Sequence, residues 1–181
     1  MDYHKSKKDQ EVLISIKAFT HEGVELIKSA LSELSLFIEI EKLSPIYKIE
    51  GRIDEGRHIH DLRTEASFKG LCLVIRAKSK CSPETTVSRL EDIENKLRSE
   101  ALYRNLSINL LVFGDLVCMS PQLTLPYPEF HLRPEEIVPA AEIWPEFIHP
   151  ILEKPLSGLS ERYLSDHWGE FYDQGKSLLD F

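Results

Sequence analysis

The alternation of strand-like and helix-like apolar patterns constrains the fold of this chain more than any other feature of its sequence. Val12 to Phe19 is rich in β-branched residues, which predicts a strand. From Gly23 onward apolar residues recur at helical spacing, so this segment is expected to lay one face on a sheet. The alternating segment from Phe37 to Glu50 and the apolar run from Ser67 to Ala77 predict further strands.

A second helix and a last strand complete the pattern. Ser82 is a good N-cap, Pro83 suits the first helical position, and apolar residues follow on one face. Ile108 to Phe113 predicts a strand, and the turn at Gly114-Asp115 leads into a short added strand that ends at Met119. This βαββαβ order predicts an α+β, ferredoxin-like sandwich, with helices on one face of an antiparallel sheet.

The two ends of the chain differ in composition from its middle. Residues 1–10 carry charges without an apolar run, and we expect a disordered tail before a domain that spans residues 11–160. Eight of the ten prolines follow Ser120, so only short elements are expected there, such as a C-terminal helix around Pro134 to Glu142. Residues 161–181 form an acidic amphipathic extension, expected to be helical. It either packs back on the domain or docks a protein partner or a second copy.

Charge and cysteine content exclude several classes of protein. Thirty acidic against 22 basic residues give a net charge of −8, which argues against nonspecific nucleic-acid or anionic-membrane binding. No segment reaches the roughly 18 apolar residues of a spanning helix. Cys72, Cys81 and Cys118 form neither a metal-spaced pair nor an even set, so we expect reduced thiols in a cytoplasmic protein.

Several segments in a fixed order resemble the motifs of one enzyme family. They are Leu43 to Lys48, Phe68 to Ile75, Ser82 to Glu84 with Ile93 to Leu97, Arg104 with Leu106 to Asp115, and Leu125 to Pro128 with Arg133 and Ile137 to Ile143. Over about residues 11–160 they resemble 6-hydroxymethyl-7,8-dihydropterin pyrophosphokinase of folate synthesis. The resemblance implies the ferredoxin-like fold and Mg²⁺-dependent transfer of diphosphate from ATP to a pterin.

The same resemblance locates the departures from the family at its chemistry. The two aspartates that hold magnesium in the family fall on Ser107 and Asn109, so two negative charges are missing. The family's Gly-Ser-Asn segment falls on Lys17-Ala18-Phe19, and its pterin-contacting asparagine falls on Gly70. The histidine between two family prolines is Tyr127. Taken without the family, the two polar strand residues would be satisfied by neighbouring backbone groups.

Three residues remain as candidates for nucleotide or anion binding. Arg104 and Arg133 match family arginines near the triphosphate, and an arginine fork takes phosphate or carboxylate in bidentate fashion. Tyr127 is the third candidate, because its ring can close a pocket by stacking. The alternatives are two ordinary surface arginines and an aromatic side chain that packs in a proline-rich turn.

The candidates for a pterin pocket are Phe68, Gly70 and Glu94. Each comes from the resemblance, and Glu94 alone is also readable as a helix-surface residue. His58 and His60 would share one side of a strand, so a metal pair is conceivable, although such a pair in a charged loop is more often solvated.

Two functions therefore stay open. The first is a noncatalytic pyrophosphokinase-like protein, a degenerate member of the family that acts as a sensor or binds a partner, with no intact metal site. The alternative is an active enzyme that uses ATP and Mg²⁺ on the pterin, or on another substrate, and releases AMP. The replacement of two carboxylates by Ser107 and Asn109 favours the first.

Overall fold

The computed structural model describes residues 9–20, 22–50, 69–99 and 105–179. The predictions for most of the N-terminal tail and for His58, His60, Phe68 and Arg104 lie outside these ranges.

An antiparallel sheet forms the centre of the molecule. The strands are β1 Gln10–Phe19, β2 Ile38–Leu43, β3 Ile46–Glu50, β4 Lys69–Ser79, β5 Asn105–Phe113, β6 Cys118–Met119, β7 Thr124–Leu125 and β8 Glu170–Asp173. In the main sheet the order is β5-β1-β4-β3-β8, and β2 also pairs with β4. The short strand that the sequence predicted after Gly114-Asp115 is β6, and it pairs with β7 in a separate hairpin.

The single strand expected from Phe37 to Glu50 is divided at Ser44-Pro45. β2 and β3 pair with successive parts of the long strand β4. Proline has no N–H to donate to a ladder. Ser44 maintains the connection at the break, because its Oγ accepts the N–H of Val74 at 2.9 Å and its own N–H donates to the Val74 carbonyl at 2.9 Å.

Helices cover both faces of the main sheet. They are α1 Gly23–Ser35, α2 Pro83–Ser99, α3 Pro134–Ile143 and α4 Leu156–Ser160. α1 and α2 lie on one face, as the ferredoxin-like order predicts, and α3 with α4 adds a layer on the opposite face. The successive residues Val12, Leu13 and Ile14 are fully buried, because β1 contributes to a core on each side.

The C-terminal extension is only partly helical. The helical expectation holds only for two short 3-10 helices, Glu161–Tyr163 and Gly175–Leu178. It is wrong for Glu170–Asp173, which is a strand. The aromatic residues of this segment pack against the sheet edge, and such tertiary contacts override a helical spacing. The extension packs back on the domain: β8 pairs with β3, and Leu178 is buried in the core on the α1 side.

Candidate functional site

Four side chains form a row across the sheet, on the face that α3 covers. Ser107 of β5 is the cross-strand neighbour of Lys17, which pairs with Cys72 of β4, which pairs with Tyr47 of β3. Cross-strand neighbours share a face of a sheet. We call these four residues the central row. It includes one of the two strand positions that the sequence analysis singled out.

Ser107 and Asn109 bond to each other. They lie two residues apart on β5, so both side chains point to one face, and Asn109 Nδ2 donates to Ser107 Oγ at 3.1 Å. The structure thus brings these two predicted site residues together. They supply neutral oxygen and nitrogen atoms, and no negative charge.

Lys17 is the charged residue of the central row, and it is buried. Its Nζ lies 2.8 Å from Glu136 Oε1 and 3.4 Å from Glu135 Oε1, and only 9% of its side chain is exposed. Ser15 Oγ donates to Glu136 Oε1 at 3.2 Å. Both glutamates lie in the first turn of α3, where the helix dipole favours negative charge. A buried ammonium requires such partners.

Burial and charge compete within this cluster. Burial lowers the pKa of Lys17, but the carboxylates of Glu136 and Glu135 outweigh burial and leave that pKa above its usual value. Lys17 is therefore protonated at neutral pH. Burial raises the pKa of Glu136, although the nearby Lys17 charge opposes this. Glu136 Oε2 has no hydrogen-bond partner in the described part of the chain, which adds to the cost of its charge.

Phe19 and Gly70 are coupled by close packing. A Cβ atom added to Gly70 would lie 2.4 Å from a ring carbon of Phe19, a distance that real side chains do not tolerate. Position 70 therefore cannot carry a side chain while Phe19 holds its place. Both departures from the family are visible in the sequence, but their contact is visible only in the structure. The signal that could have linked them is that one position carries a large ring, Phe19, and the other carries no side chain, Gly70.

Arg133 and Tyr127 also lie together. The guanidinium carbon of Arg133 is 5.5 Å from the Tyr127 ring centroid, and Arg133 is the N-cap residue of α3. Its positive charge lowers the pKa of both Lys17 and Glu136. Two of the three anion-binding candidates thus share one place, beside the acidic first turn of α3.

Glu94 lies apart from these residues. Its Oε2 accepts the N–H of Ile108 on β5 at 2.9 Å, and its Oε1 lies 2.7 Å from Arg98, which itself donates to the Leu106 carbonyl. These contacts occupy backbone groups of β5, an end strand of the sheet order. Gly70 lies two residues from Cys72 on β4, so it is on the face that α3 covers, whereas Glu94 is on α2 at the other face. The structure therefore does not bring Gly70 and Glu94 together.

With Lys17 in place, the strand positions Ser107 and Asn109 do not suit a magnesium ion. Mg²⁺ prefers carboxylate and phosphate oxygens, whereas Ser107 and Asn109 are neutral and the Lys17 ammonium is next to them. Among the described residues, no group of three or more histidine, cysteine or acidic side chains is placed to hold a metal.

A cavity of about 450 Å³ lies beside the end of the sheet. Its lining includes Gly70, the start of α1 and Tyr172 of β8, together with the carboxylates of Glu22 and Glu25. No lysine or arginine occurs among its described lining residues, so it does not suit a triphosphate.

No helix in the described ranges has the length and apolar character needed to cross a membrane.

Two known proteins that are similar to this chain in sequence carry the same name. No model of a protein family matches it. A 2-amino-4-hydroxy-6-hydroxymethyldihydropteridine pyrophosphokinase of Aquifex aeolicus is 26% identical over 151 residues, which cover 80% of this chain and 87% of the relative. A protein of the same name from Synechocystis sp. is 28% identical over 142 residues, 75% of this chain and 67% of the relative.

Solved structures of Plasmodium falciparum HPPK-DHPS share the fold. The wild-type structure aligns with a TM-score of 0.69 at 13% identity, over 87% of this chain and 45% of that chain. The A437G variant with pteroate aligns with a TM-score of 0.69 over 89% of this chain and 44% of that chain. This chain thus spans less than half of that protein, and at such identity the likeness shows the fold alone. The two sequence matches, which cover 80% and 75% of this chain, mark it as a homologue of the 2-amino-4-hydroxy-6-hydroxymethyldihydropteridine pyrophosphokinases.

Proposed function

We propose that this chain is a pterin pyrophosphokinase-like protein that does not catalyse metal-dependent diphosphate transfer. One observation carries the proposal: Ser107 and Asn109 bond to each other, and the buried Lys17 ammonium is the cross-strand neighbour of Ser107. Phosphoryl transfer depends on positioning and on neutralisation of charge by metal ions. Two strand positions that carry neutral side chains beside a buried ammonium oppose binding of those ions.

The transition-state stabilisation that a metal ion supplies is large enough to support the proposal that this chain is not catalytic. Each loss of about 1.4 kcal/mol of transition-state stabilisation lowers a rate tenfold, and a catalytic metal ion supplies several times that amount. Any residual rate would scarcely support a pathway.

The contact of Phe19 with Gly70 supports the same proposal. The family's pterin-contacting asparagine falls on Gly70, where the Phe19 ring leaves no room for a side chain. A pterin would have to bind without that contact.

We further propose that any nucleotide or other anion binds at Arg133 and Tyr127 without help from Mg²⁺. The two side chains lie together, and a guanidinium recognises phosphate through paired hydrogen bonds. Calorimetric titration with ATP is expected to give the same affinity with and without Mg²⁺. Tight binding of ATP that requires Mg²⁺ would contradict this.

The direct test is AMP release from ATP, Mg²⁺ and 6-hydroxymethyl-7,8-dihydropterin. We expect no turnover by the unaltered chain above that of a Ser107→Ala, Asn109→Ala control. Turnover by the unaltered chain that the control lacks would establish the enzyme alternative instead. A Ser107→Asp, Asn109→Asp variant, assayed in parallel, measures how far the two carboxylates alone restore activity while Lys17 is in place.

Location and partners belong to the same proposal. We propose a cytoplasmic protein, and its three cysteines, which all lie in described ranges and are unpaired, support this. A protein partner or a second copy would meet the C-terminal extension at Phe171 and Tyr172, which are 54% and 43% exposed.

A further inference from the structure

The ammonium of Lys17 is held by carboxylates, the groups that also bind metal cations in proteins. Its ammonium is buried against two carboxylates from one helix turn, and Ser107, a position that carries a magnesium ligand in the family, is its neighbour on β5. The side chain of Glu136 is fully buried, and that of Glu135 is 27% exposed. A metal ion and an ammonium are alternative ways to neutralise such carboxylates.

We infer that Lys17 supplies the cation of this face, so that its ammonium replaces a bound divalent cation and excludes one. This deepens the proposed function, since it gives the reason why the face does without Mg²⁺. It also states a property of particular residues: without Lys17, Glu135 and Glu136 become ligands of a divalent cation.

The geometry of Glu136 supports this inference independently of the family. Lys17 and Ser15 both contact Glu136 Oε1, whereas Oε2 is buried and without a hydrogen-bond partner among the described residues. The ammonium therefore satisfies only half of this carboxylate. A divalent cation in its place can be held by both oxygens, as bidentate carboxylates do.

A Lys17→Met variant isolates the charge. Methionine is unbranched and fills irregular core space, so it removes the ammonium while it retains most of the volume. Two carboxylates and the hydroxyl of Ser15 then remain, with the Asn109 oxygen on the neighbouring strand. Such all-oxygen sets suit Mn²⁺, Mg²⁺ and Ca²⁺.

The experiment measures Mn²⁺ binding by electron paramagnetic resonance and thermal unfolding with and without Mn²⁺. We expect no stoichiometric Mn²⁺ and no shift in Tm for the unaltered chain. Lys17→Met is expected to bind Mn²⁺ stoichiometrically and to gain several degrees in Tm, because a ligand that binds only the native state stabilises it. Lys17→Met with Glu136→Gln is expected to lose the gain.

Lys28→Met is the matched control. Lys28 lies 3.4 Å from Glu25 in an exposed pair on α1, so its removal frees a carboxylate at the surface without creating a buried site. This variant is expected to behave like the unaltered chain. An equal Mn²⁺ response in Lys28→Met would overturn the inference, since any unpaired carboxylate would then suffice.

Two further outcomes would overturn it. The first is stoichiometric Mn²⁺ binding by the unaltered chain that the Glu136→Gln substitution abolishes. The second is a Lys17→Met variant that folds but neither binds Mn²⁺ nor gains in Tm when Mn²⁺ is added. If Lys17→Met unfolds without a cation, folding on addition of Mn²⁺ supports the inference. Failure to fold in Mn²⁺, while Lys17→Met with Glu136→Gln folds, refutes it. Nucleotide and pterin are absent throughout, so the outcome is separate from that of the AMP assay.

Discussion

At the scale of single residues, two complementary contacts shape the face of the sheet that α3 covers. Phe19 fills the space that a side chain at Gly70 would need, and Lys17 is matched by Glu135 and Glu136 on the facing helix. In each contact, one side is compatible with the fold only because the other is present. A large ring requires a glycine opposite it, and a buried ammonium requires carboxylates.

The first pair predicts a specific loss of stability. Gly70→Ala is expected to lower the free energy of unfolding by about 1–3 kcal/mol, because the added methyl overlaps the Phe19 ring. In the Phe19→Ala background the same change should cost less, which a double-mutant cycle from urea unfolding measures. Gly158→Ala is the control, since its Cβ would meet Pro155 at an ordinary 3.7 Å. Equal costs of Gly70→Ala in both backgrounds would show that the ring is not the obstacle.

At the scale of elements, β8 closes one end of the main sheet in the described part of the chain. It pairs with β3, and Trp168 just before it packs on Tyr47 with ring centroids 4.8 Å apart. Tyr47 in turn donates to Glu142 of α3 at 2.6 Å, so the extension is linked through the central row to the covering helix. All four residues of β8 are exposed, which leaves the strand few buried contacts.

We expect β8 to open locally before the rest of the sheet. Segments with few buried contacts open at a free energy below that of global unfolding. Native-state hydrogen exchange should therefore find faster exchange in β8 than in the pairing of β1 with β4. Trp168→Ala should accelerate exchange in β8 and cost about 1 kcal/mol of stability. Phe171→Ala, with its more distant edge contact of 6.5 Å, should do less. Protection of β8 equal to that of β4 would contradict this.

At the scale of the whole molecule, two cores share one sheet. The core on the α1 and α2 side is mainly apolar, with Ser79, Thr86 and Glu94 as its buried polar residues, whereas the core under α3 adjoins both the Lys17 cluster and His149. His149 is buried, its ring stacks on Phe130, and its Nδ1 accepts the N–H groups of Ile151 and Leu152. Protonation at Nδ1 removes that acceptor.

This arrangement predicts a loss of stability in acid. Burial, with the neighbouring His131, lowers the pKa of His149 below 6.5, so the unfolded chain binds its proton more readily than the native chain. The stabilising contribution is complete above the unfolded pKa and is lost as pH falls through 6.5 toward the lower native value. Urea unfolding from pH 8 to pH 5 measures this. A His149→Gln variant should show a weaker dependence than the unaltered chain, and an unchanged dependence would exclude His149 as its source.

The sequence alone determined the sheet and the helical layer of α1 and α2, but not the second layer that α3 and α4 form. The 3.6-residue periods of α1 and α2 and the apolar, β-branched runs of β1, β4 and β5 are local properties of the chain, and the βαββαβ order follows from them. The neutral pair Ser107 and Asn109 was also readable, because alternation on one strand fixes a shared face.

Tertiary structure alone decided the rest. Glu170–Asp173 became a strand because an edge of the sheet was free to pair with it, which no local pattern reports. The partnership of Lys17 with glutamates more than a hundred residues away, and that of Phe19 with Gly70, arise only when distant segments pack together. Burial makes these contacts matter for stability, because an unpaired charge or an overlapping side chain costs free energy inside a protein and very little at its surface.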